Sequence, residues 1–279
     1  MKNTIIFDNK IDFKQGETLT FFLNENFDFR AESRIFSAQT LNKIQVYLKN
    51  LKFKKIKEKI IGFDISEKNK ALFIIVKEKL LPNDFEKMGA NFFSYVKMSK
   101  ISKINFYSDT LKLVKFYQKN TELISNFIHG FNLKSYSFDK YKTKDKNNYY
   151  FSLKIISSEK TSLSKNYSKY KAIESGVFQT RDLVSEPPNV LYPKKYVETI
   201  KKLSSLGLKI QVYNESRMKR LGMHSLLGVG QGSINESFLV TIEWKGNKKS
   251  KERPLAFVGK GVCFDTGGIS LKPARFMEE

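Results

Sequence analysis

The chain has 279 residues, of which 41% are hydrophobic and 14% aromatic, and its formal net charge is +22. This length is enough to bury a sizeable core and favours two domains over one. No apolar run reaches the roughly 18 residues that would span a bilayer, and Asp8 and Asp12 interrupt the stretch where a signal peptide needs an apolar core. The single cysteine, Cys263, excludes an intrachain disulfide and a multi-cysteine metal site. We therefore expect a folded cytoplasmic protein without a membrane segment.

The positive charge raises the question of a polyanionic partner, because clustered cations release counterions when they bind phosphates. Here the excess is mostly lysine and is spread through the whole chain. Proteins that read nucleic acid concentrate their charge and favour arginine. We therefore attribute the charge to overall composition, with a nucleic-acid surface as the alternative. The densest cluster, KNLKFKKIKEKI at residues 49–60, is predicted to be a solvated helix face or strand edge, with a basic patch as its alternative.

The first half of the chain alternates between two kinds of hydrophobic pattern. Helical spacing or start signals predict three helices, the second of which opens at Pro82 with acidic residues in its first turn. Runs rich in β-branched and aromatic residues predict strands between them. This alternation predicts an α/β domain with a sheet flanked by helices over residues 1–157. The predicted strands are residues 3–7, 19–23, 71–77, 103–108 and 148–157, and the predicted helices are residues 38–51, 82–97 and 111–131.

A polar segment at residues 157–169 predicts a domain boundary, so that residues 158–279 form a second domain. A long helix over residues 170–184 must end before Pro187 and Pro188, which remove amide donors. Asn214 is suited to cap a later helix. The remaining predicted elements are helices at 193–207 and 215–222, a loop at 226–233, and strands at 208–214, 237–244 and 254–261.

Several motifs that suggest common cofactors fail on spacing. The glycines of GVGQGS, residues 228–233, do not match G-x-G-x-x-G, and the glycines around Lys260 do not form a Walker A loop. His129 and His224 are far apart in the sequence and have no acidic neighbours at ligand spacing. Each is predicted to be a packing or surface residue, so a histidine-based triad is not expected.

The closing segment, VGKGVCFDTGGISLKP at residues 258–273, concentrates chemically useful residues. Lys260 follows a predicted strand, Asp265 comes five residues later, and Lys272 comes seven residues after that. Gly267 and Gly268 would allow the backbone to approach a ligand closely. Strand ends in α/β sheets present side chains to a ligand crevice. Together these residues predict a functional site, although a surface lysine or turn aspartate alone would not.

These residues resemble the leucyl, or cytosol, aminopeptidases, a family of two-metal exopeptidases. The resemblance rests on residues 258–273 and is reinforced by TRDLVSEPPNVLYP (180–193), by RLGMHSLLGVGQGS (220–233) and more weakly by LKSYSFDKYK (133–142). It covers mainly the second half of the chain. It implies an N-terminal α/β domain followed by part of an α/β/α metallopeptidase domain that removes N-terminal residues from peptides, with a leucine-type preference.

The resemblance also implies roles for individual residues. Lys260 would bind a metal through a neutral amine, and Asp265 would bridge two divalent ions, zinc or manganese. Lys272 would stay protonated and stabilise the oxyanion. Cys263 stands where the family often has threonine, and Thr266 where serine is usual, but neither position is an implied ligand. The resemblance further implies a homohexamer acting on peptide substrates.

One departure from the family pattern limits these expectations. The acidic block NTDAEGRL, which in the family carries two metal ligands and an arginine, is absent from the sequence. We therefore expect a fragment of a longer enzyme that is inactive by itself and holds an incomplete metal site. The alternative is a non-catalytic remnant, or a basic protein that binds nucleic acid or another partner.

Overall fold

The computed structural model describes residues 3–12, 14–30, 35–54, 59–114, 116, 118–144, 149–247, 249 and 251–277. The chain divides into two compact units, Met1–Arg181 and Asp182–Glu279. Among the described residues, every helix is too short or too polar to cross a bilayer. The predicted domain boundary after residue 157 differs from this division and stays a prediction. Of the basic cluster at residues 49–60, residues 55–58 lie outside the described part.

The first unit is built on a six-stranded sheet with the order β1-β6-β5-β2-β4-β3. All neighbouring strands are parallel except β3 and β4, which are antiparallel. The α/β class predicted from the sequence, a mixed sheet with helices, is confirmed. The strands are β1 (Thr4–Asp8), β2 (Thr18–Asn24), β3 (Ile60–Asp64), β4 (Lys70–Val76), β5 (Lys103–Tyr107) and β6 (Ser152–Ile156).

Helices cover both faces of this sheet because its central strands are apolar on both sides. In β2, Phe21 faces the cluster that contains the helix Ala38–Phe53, whereas Phe22 faces the cluster that contains the helices Pro82–Met98 and Asn120–Lys134. This division follows from the alternation of side chains along a strand. The helices of this unit are α1 (Ala38–Phe53), α2 (Pro82–Met98), α3 (Asn120–Lys134) and the start of α4 (Lys160–Ser185), with a 3-10 helix at Ser108–Leu113.

Three sequence predictions need correction in the first unit. The helix predicted over residues 111–131 is instead the end of the 3-10 helix and the separate α3, with residues 115 and 117 outside the described part. The strand β3 was not predicted, because its sequence IIGFD is short and follows the lysine-rich cluster. The long helix predicted to begin at residue 170 is α4, which begins earlier, at Lys160. In its first turns Leu163 and Tyr167 bury their side chains against the core.

Asp109 holds the junction between β6 and α4. Its carboxylate accepts hydrogen bonds from the hydroxyl of Ser157 at 2.9 Å and the amide of Ser158 at 2.8 Å. Burial acts to raise the pKa of Asp109, but these hydrogen bonds and nearby Lys112 outweigh it and lower the pKa below its ordinary value. The ionised carboxylate therefore stabilises the fold.

We expect Asp109→Asn to lower the free energy of unfolding at pH 7 by about 1 kcal/mol or less, since the carboxylate is partly exposed and screened. A depressed pKa gives stability that is present above the unfolded value of about 3.9 and is lost as the pH falls through the lower folded value. Urea unfolding at pH 7 and pH 3 measures this, and the difference between variant and parent should shrink at pH 3. A difference that is larger at pH 3 would contradict the assignment.

The second unit contains short elements and one two-stranded antiparallel sheet, β7 with β8. The predicted cap is confirmed, because the Asn214 side chain accepts a hydrogen bond from the amide of Arg217 at 3.0 Å. Gly207 ends a 3-10 helix in the left-handed region at φ 84°. The elements are α5 (Pro193–Lys201), a 3-10 helix (Lys202–Leu206), β7 (Lys209–Tyr213), α6 (Glu215–Arg220), α7 (His224–Gly230), β8 (Leu239–Glu243) and a 3-10 helix (Ala274–Phe276).

Two predictions are wrong in the second unit. The predicted loop at residues 226–233 is largely α7. Residues 254–261, predicted to be a strand, form no strand in the described part of the chain. Phe257 is 90% exposed and Val258 is 99% exposed. A strand requires a hydrogen-bonded neighbour, and β7 and β8 pair only with each other among the described strands.

Candidate functional site

The candidate site is the loop at residues 260–272, which contains all three residues singled out from the sequence. Asp265 and Lys272 come together, with 3.7 Å between Asp265 Oδ2 and Lys272 Nζ. Lys260 lies close enough for its charge to act on the same carboxylate. Lys260 and Asp265 are exposed, and Lys272 is partly exposed. The structure therefore brings the acid and one lysine into an ion pair and places the other lysine nearby.

Backbone hydrogen bonds shape this loop. The amide of Lys272 donates to the carbonyl of Thr266 at 2.8 Å, which closes a short loop between them. Gly267 and Gly268 have φ values of 99° and 93°, in the left-handed region that other residues rarely adopt. A Cβ atom added at Gly267 would lie 2.5 Å from the carbonyl oxygen of Ser270. Glycine is therefore required at position 267 for conformational and steric reasons.

The local environment keeps Asp265 ionised. The amide of Gly267 donates to Asp265 Oδ1 at 2.8 Å. This hydrogen bond, followed by the charges of Lys272 and Lys260, lowers the pKa of Asp265 below its ordinary value. An ionised carboxylate is the form that binds a divalent cation.

Gly261 and Cys263 lie near the start of the loop. The backbone at Gly261 lies against the ring of Tyr196 from α5, where an added Cβ would be 3.1 Å from Tyr196 Cε1. Burial raises the pKa of the Cys263 thiol. Because a raised pKa keeps the thiol protonated at neutral pH, Cys263 is not poised as a thiolate ligand.

The donors in this loop suit a divalent cation by type but are few in number. Asp265 offers carboxylate oxygens, and Lys260 could offer a lone pair only after losing its proton. A two-metal site needs several anionic ligands to offset about four positive charges. Within the described residues, no group of three His, Cys, Asp or Glu side chains is placed to hold a metal ion. The described residues therefore supply part of such a site.

The structure contains a second polar cluster, inside the first unit, that sequence reasoning missed. The Nδ1 atom of His129 in α3 lies 2.9 Å from Oε1 of Glu174 in α4. Asn132 donates to the same carboxylate at 2.6 Å, and the hydroxyl of Tyr167 donates to it at 2.8 Å. Burial, followed by the charge of Glu174, raises the pKa of Tyr167. No sequence signal joins these residues, because Glu174 follows His129 by 45 positions.

This cluster fixes α4 against α3. His129 and Glu174 are buried, and a buried carboxylate requires partners to offset its lost hydration. His129 is a buried packing residue, and His224 lies exposed at the start of α7. Both positions agree with the prediction that each histidine is a packing or surface residue.

Comparison with known proteins shows similarity to one family. The model of the cytosol aminopeptidase family, catalytic domain, matches residues 178–279, which include the whole candidate loop. A protein of Rhizobium etli described as a probable cytosol aminopeptidase is 41% identical over 206 residues, covering 72% of this chain and 40% of that protein. A relative in Caulobacter vibrioides, described in the same words, is 41% identical over 201 residues, covering 71% and 39%. The chain thus spans about two fifths of the length of these relatives.

Solved structures share the fold. A variant of tomato leucine aminopeptidase matches with a TM-score of 0.73 at 20% identity, covering 95% of this chain and 55% of that one. The bottromycin maturation enzyme BotP, in complex with Mn, matches with a TM-score of 0.67 at 20% identity, covering 93% and 51%. At this level of identity the likeness concerns the fold alone.

Proposed function

Because this chain belongs to the cytosol aminopeptidase family, we propose that it is part of a metal-dependent aminopeptidase that removes N-terminal residues from peptides, with a leucine-type preference. The observation that carries the proposal is the catalytic-domain match over residues 178–279. That segment contains the loop at residues 260–272, in which Asp265 and Lys272 form an ion pair. We further propose that the protein acts in the cytoplasm and assembles as a homohexamer.

Each loop residue has a role in this proposal. The Asp265 carboxylate, kept ionised by the Gly267 amide, would be a ligand for the divalent ions. Lys260 would provide its neutral amine as a further ligand. Lys272 would use its positive charge to stabilise the oxyanion that develops on the scissile carbonyl. The 3.7 Å between Lys272 Nζ and Asp265 Oδ2 supports a role for both side chains in one site.

The metals would be zinc or manganese. When bound, they would supply Lewis acidity toward the scissile carbonyl and activated water near neutral pH. The described residues provide too few donors to hold two such ions, so further acidic ligands would have to join Asp265 and Lys260. The Mn in the BotP structure supports a divalent metal without deciding between the two elements.

The alternative, a non-catalytic protein that binds nucleic acid or another partner, rests on the net charge of +22. That charge is spread over the chain and is not specific evidence for such a function. The catalytic-domain match favours the enzyme.

The test uses a chimera in which this chain replaces the part of the Caulobacter relative that it matches, about 39% of that protein. With Mn²⁺ or Zn²⁺, the chimera should hydrolyse a leucine amide and lose this activity on treatment with EDTA. The 279-residue chain alone should show no turnover, because its described residues supply too few metal ligands. If the intact relative is active and the folded chimera is not, the proposed function is wrong. Metal-dependent turnover by the chain alone would contradict the incomplete site.

A further inference from the structure

A groove of about 990 Å³ opens in the first unit at the carboxyl end of the central strand β2. Asn24, the last residue of β2, lies in its wall. The end of α1 and Leu113, which ends the 3-10 helix after β5, line other parts of it. None of residues 260–272 lines this groove. Ligand binding in the groove is therefore independent of the proposed function.

The topology explains why a groove forms at this edge. After β2 the chain forms β3 and then β4 on one side of β2, and it then crosses to β5 on the other side. The carboxyl edge beside such a reversal of strand order is where open α/β sheets bind ligands. The end of α1 reaches the same edge because β3 begins there, with Ile60 paired to Ile74 in antiparallel β4.

The groove is lined by three cations. Arg30 follows the end of β2, and Lys49 and Lys52 lie three residues apart on one face of α1. Asp28 is the one acidic residue among the described lining residues. Within the described part of the chain, none of the three cations has a carboxylate within ion-pair distance. This arrangement leaves their charge available to an anion.

The groove also carries an exposed aromatic ring and a constrained backbone. Phe53 is 87% exposed, so its ring face is open for stacking. Phe27 adopts a φ of 59°, which is uncommon for a residue other than glycine. Hydrogen bonds hold this conformation, from the Phe27 amide to the Asn24 carbonyl and from the Asp28 amide to Asn24 Oδ1, each 3.0 Å long. Such uncommon backbone conformations cluster at binding sites.

We propose that this groove binds a free nucleotide. The phosphates interact with Arg30, Lys49 and Lys52, and the base stacks on Phe53. Phosphate recognition requires cations, and base stacking requires an exposed aromatic face. The volume lies within the range of about 300–1,000 Å³ that is usual for small-molecule sites, which favours a single nucleotide over a polymer.

The experiment is titration calorimetry of the 279-residue chain with ATP, adenosine, tripolyphosphate and a single-stranded oligonucleotide. ATP should bind at least about tenfold more tightly than adenosine or tripolyphosphate, because only ATP engages both parts of the groove. Lys49→Glu and Lys52→Glu should each weaken ATP binding about tenfold. Lys43→Glu is the matched control, since Lys43 is exposed on the same helix but does not line the groove, and it should change the affinity less than about twofold.

The aromatic contact has its own test. Phe53→Ala should weaken ATP binding about tenfold and leave tripolyphosphate binding unchanged, because stacking contributes only when a base is present. Met98→Ala, a change at another exposed apolar residue, should leave both unchanged. The proposal is overturned if tripolyphosphate binds as tightly as ATP, which would show a simple anion site. It is also overturned if the oligonucleotide binds more tightly than ATP and is weakened by the same variants, which would show a nucleic-acid surface.

Discussion

In the active chimera, Asp265→Ala should lower turnover of a leucine amide by at least about 10²–10³-fold. Removal of a single preorganised electrostatic group commonly costs this much, and Asp265 is also proposed to be a metal ligand. Metal analysis of the purified protein should show a loss of bound metal in parallel. Asp265→Asn keeps the size of the side chain but removes its charge, and it should behave in the same way.

Lys272→Ala separates charge stabilisation from metal binding. If Lys272 acts on the oxyanion, this variant should lose most of its turnover, retain its metal content and leave KM nearly unchanged, because the lysine acts mainly in the transition state. Lys251→Ala is the control, since Lys251 is exposed in the same unit but outside the loop.

Full activity of Asp265→Ala with undiminished metal would refute the role of the carboxylate. Loss of metal in Lys272→Ala would show that Lys272 contributes to binding.

Much of the first unit could be predicted because local pattern and burial agree there. The strands β2 and β4 are rich in apolar residues that are buried on both faces, and α2 carries its start signal at Pro82. The strand β3 is not evident from the sequence because IIGFD is short and directly follows the lysine-rich cluster. The early start of α4 was missed because only Leu163 and Tyr167 mark its buried face within a polar sequence.

The proximity of the three candidate-site residues was predictable for a different reason. Lys260, Asp265 and Lys272 are close in sequence, so their proximity followed from spacing and from the glycines between them. The strand assigned before Lys260 was wrong, because an apolar run becomes a strand only when another strand pairs with it. The cluster around Glu174 and the groove beside β2 depend on packing between distant segments, for which a single sequence carries no local signal.

The packing of α2 against α3 gives the strongest structural prediction. The backbones of the two helices are in contact at Gly89 and Gly130. A Cβ atom added at Gly89 would lie 1.8 Å from the carbonyl oxygen of Phe127, and one added at Gly130 would lie 1.8 Å from that of Glu86. Because each obstacle is backbone, a side-chain rotation cannot relieve the contact. The helices would have to separate and open the tightly packed core around Phe92 and Phe131.

We expect Gly89→Ala and Gly130→Ala each to destabilise the first unit by about 3 kcal/mol or more, at the upper end of overpacking costs. For a unit of this size the thermal midpoint should fall by about 6–12 °C. Gly176→Ala is the matched control, because Gly176 is also helical but has no heavy atom within 4 Å of an added Cβ. Because the added methyl group meets no other atom, that variant should gain up to about 1 kcal/mol of stability from the higher helix propensity of alanine. Thermal and urea unfolding followed by circular dichroism measure all three. Equal stability of Gly89→Ala and Gly176→Ala would show that α2 and α3 do not meet at their backbones.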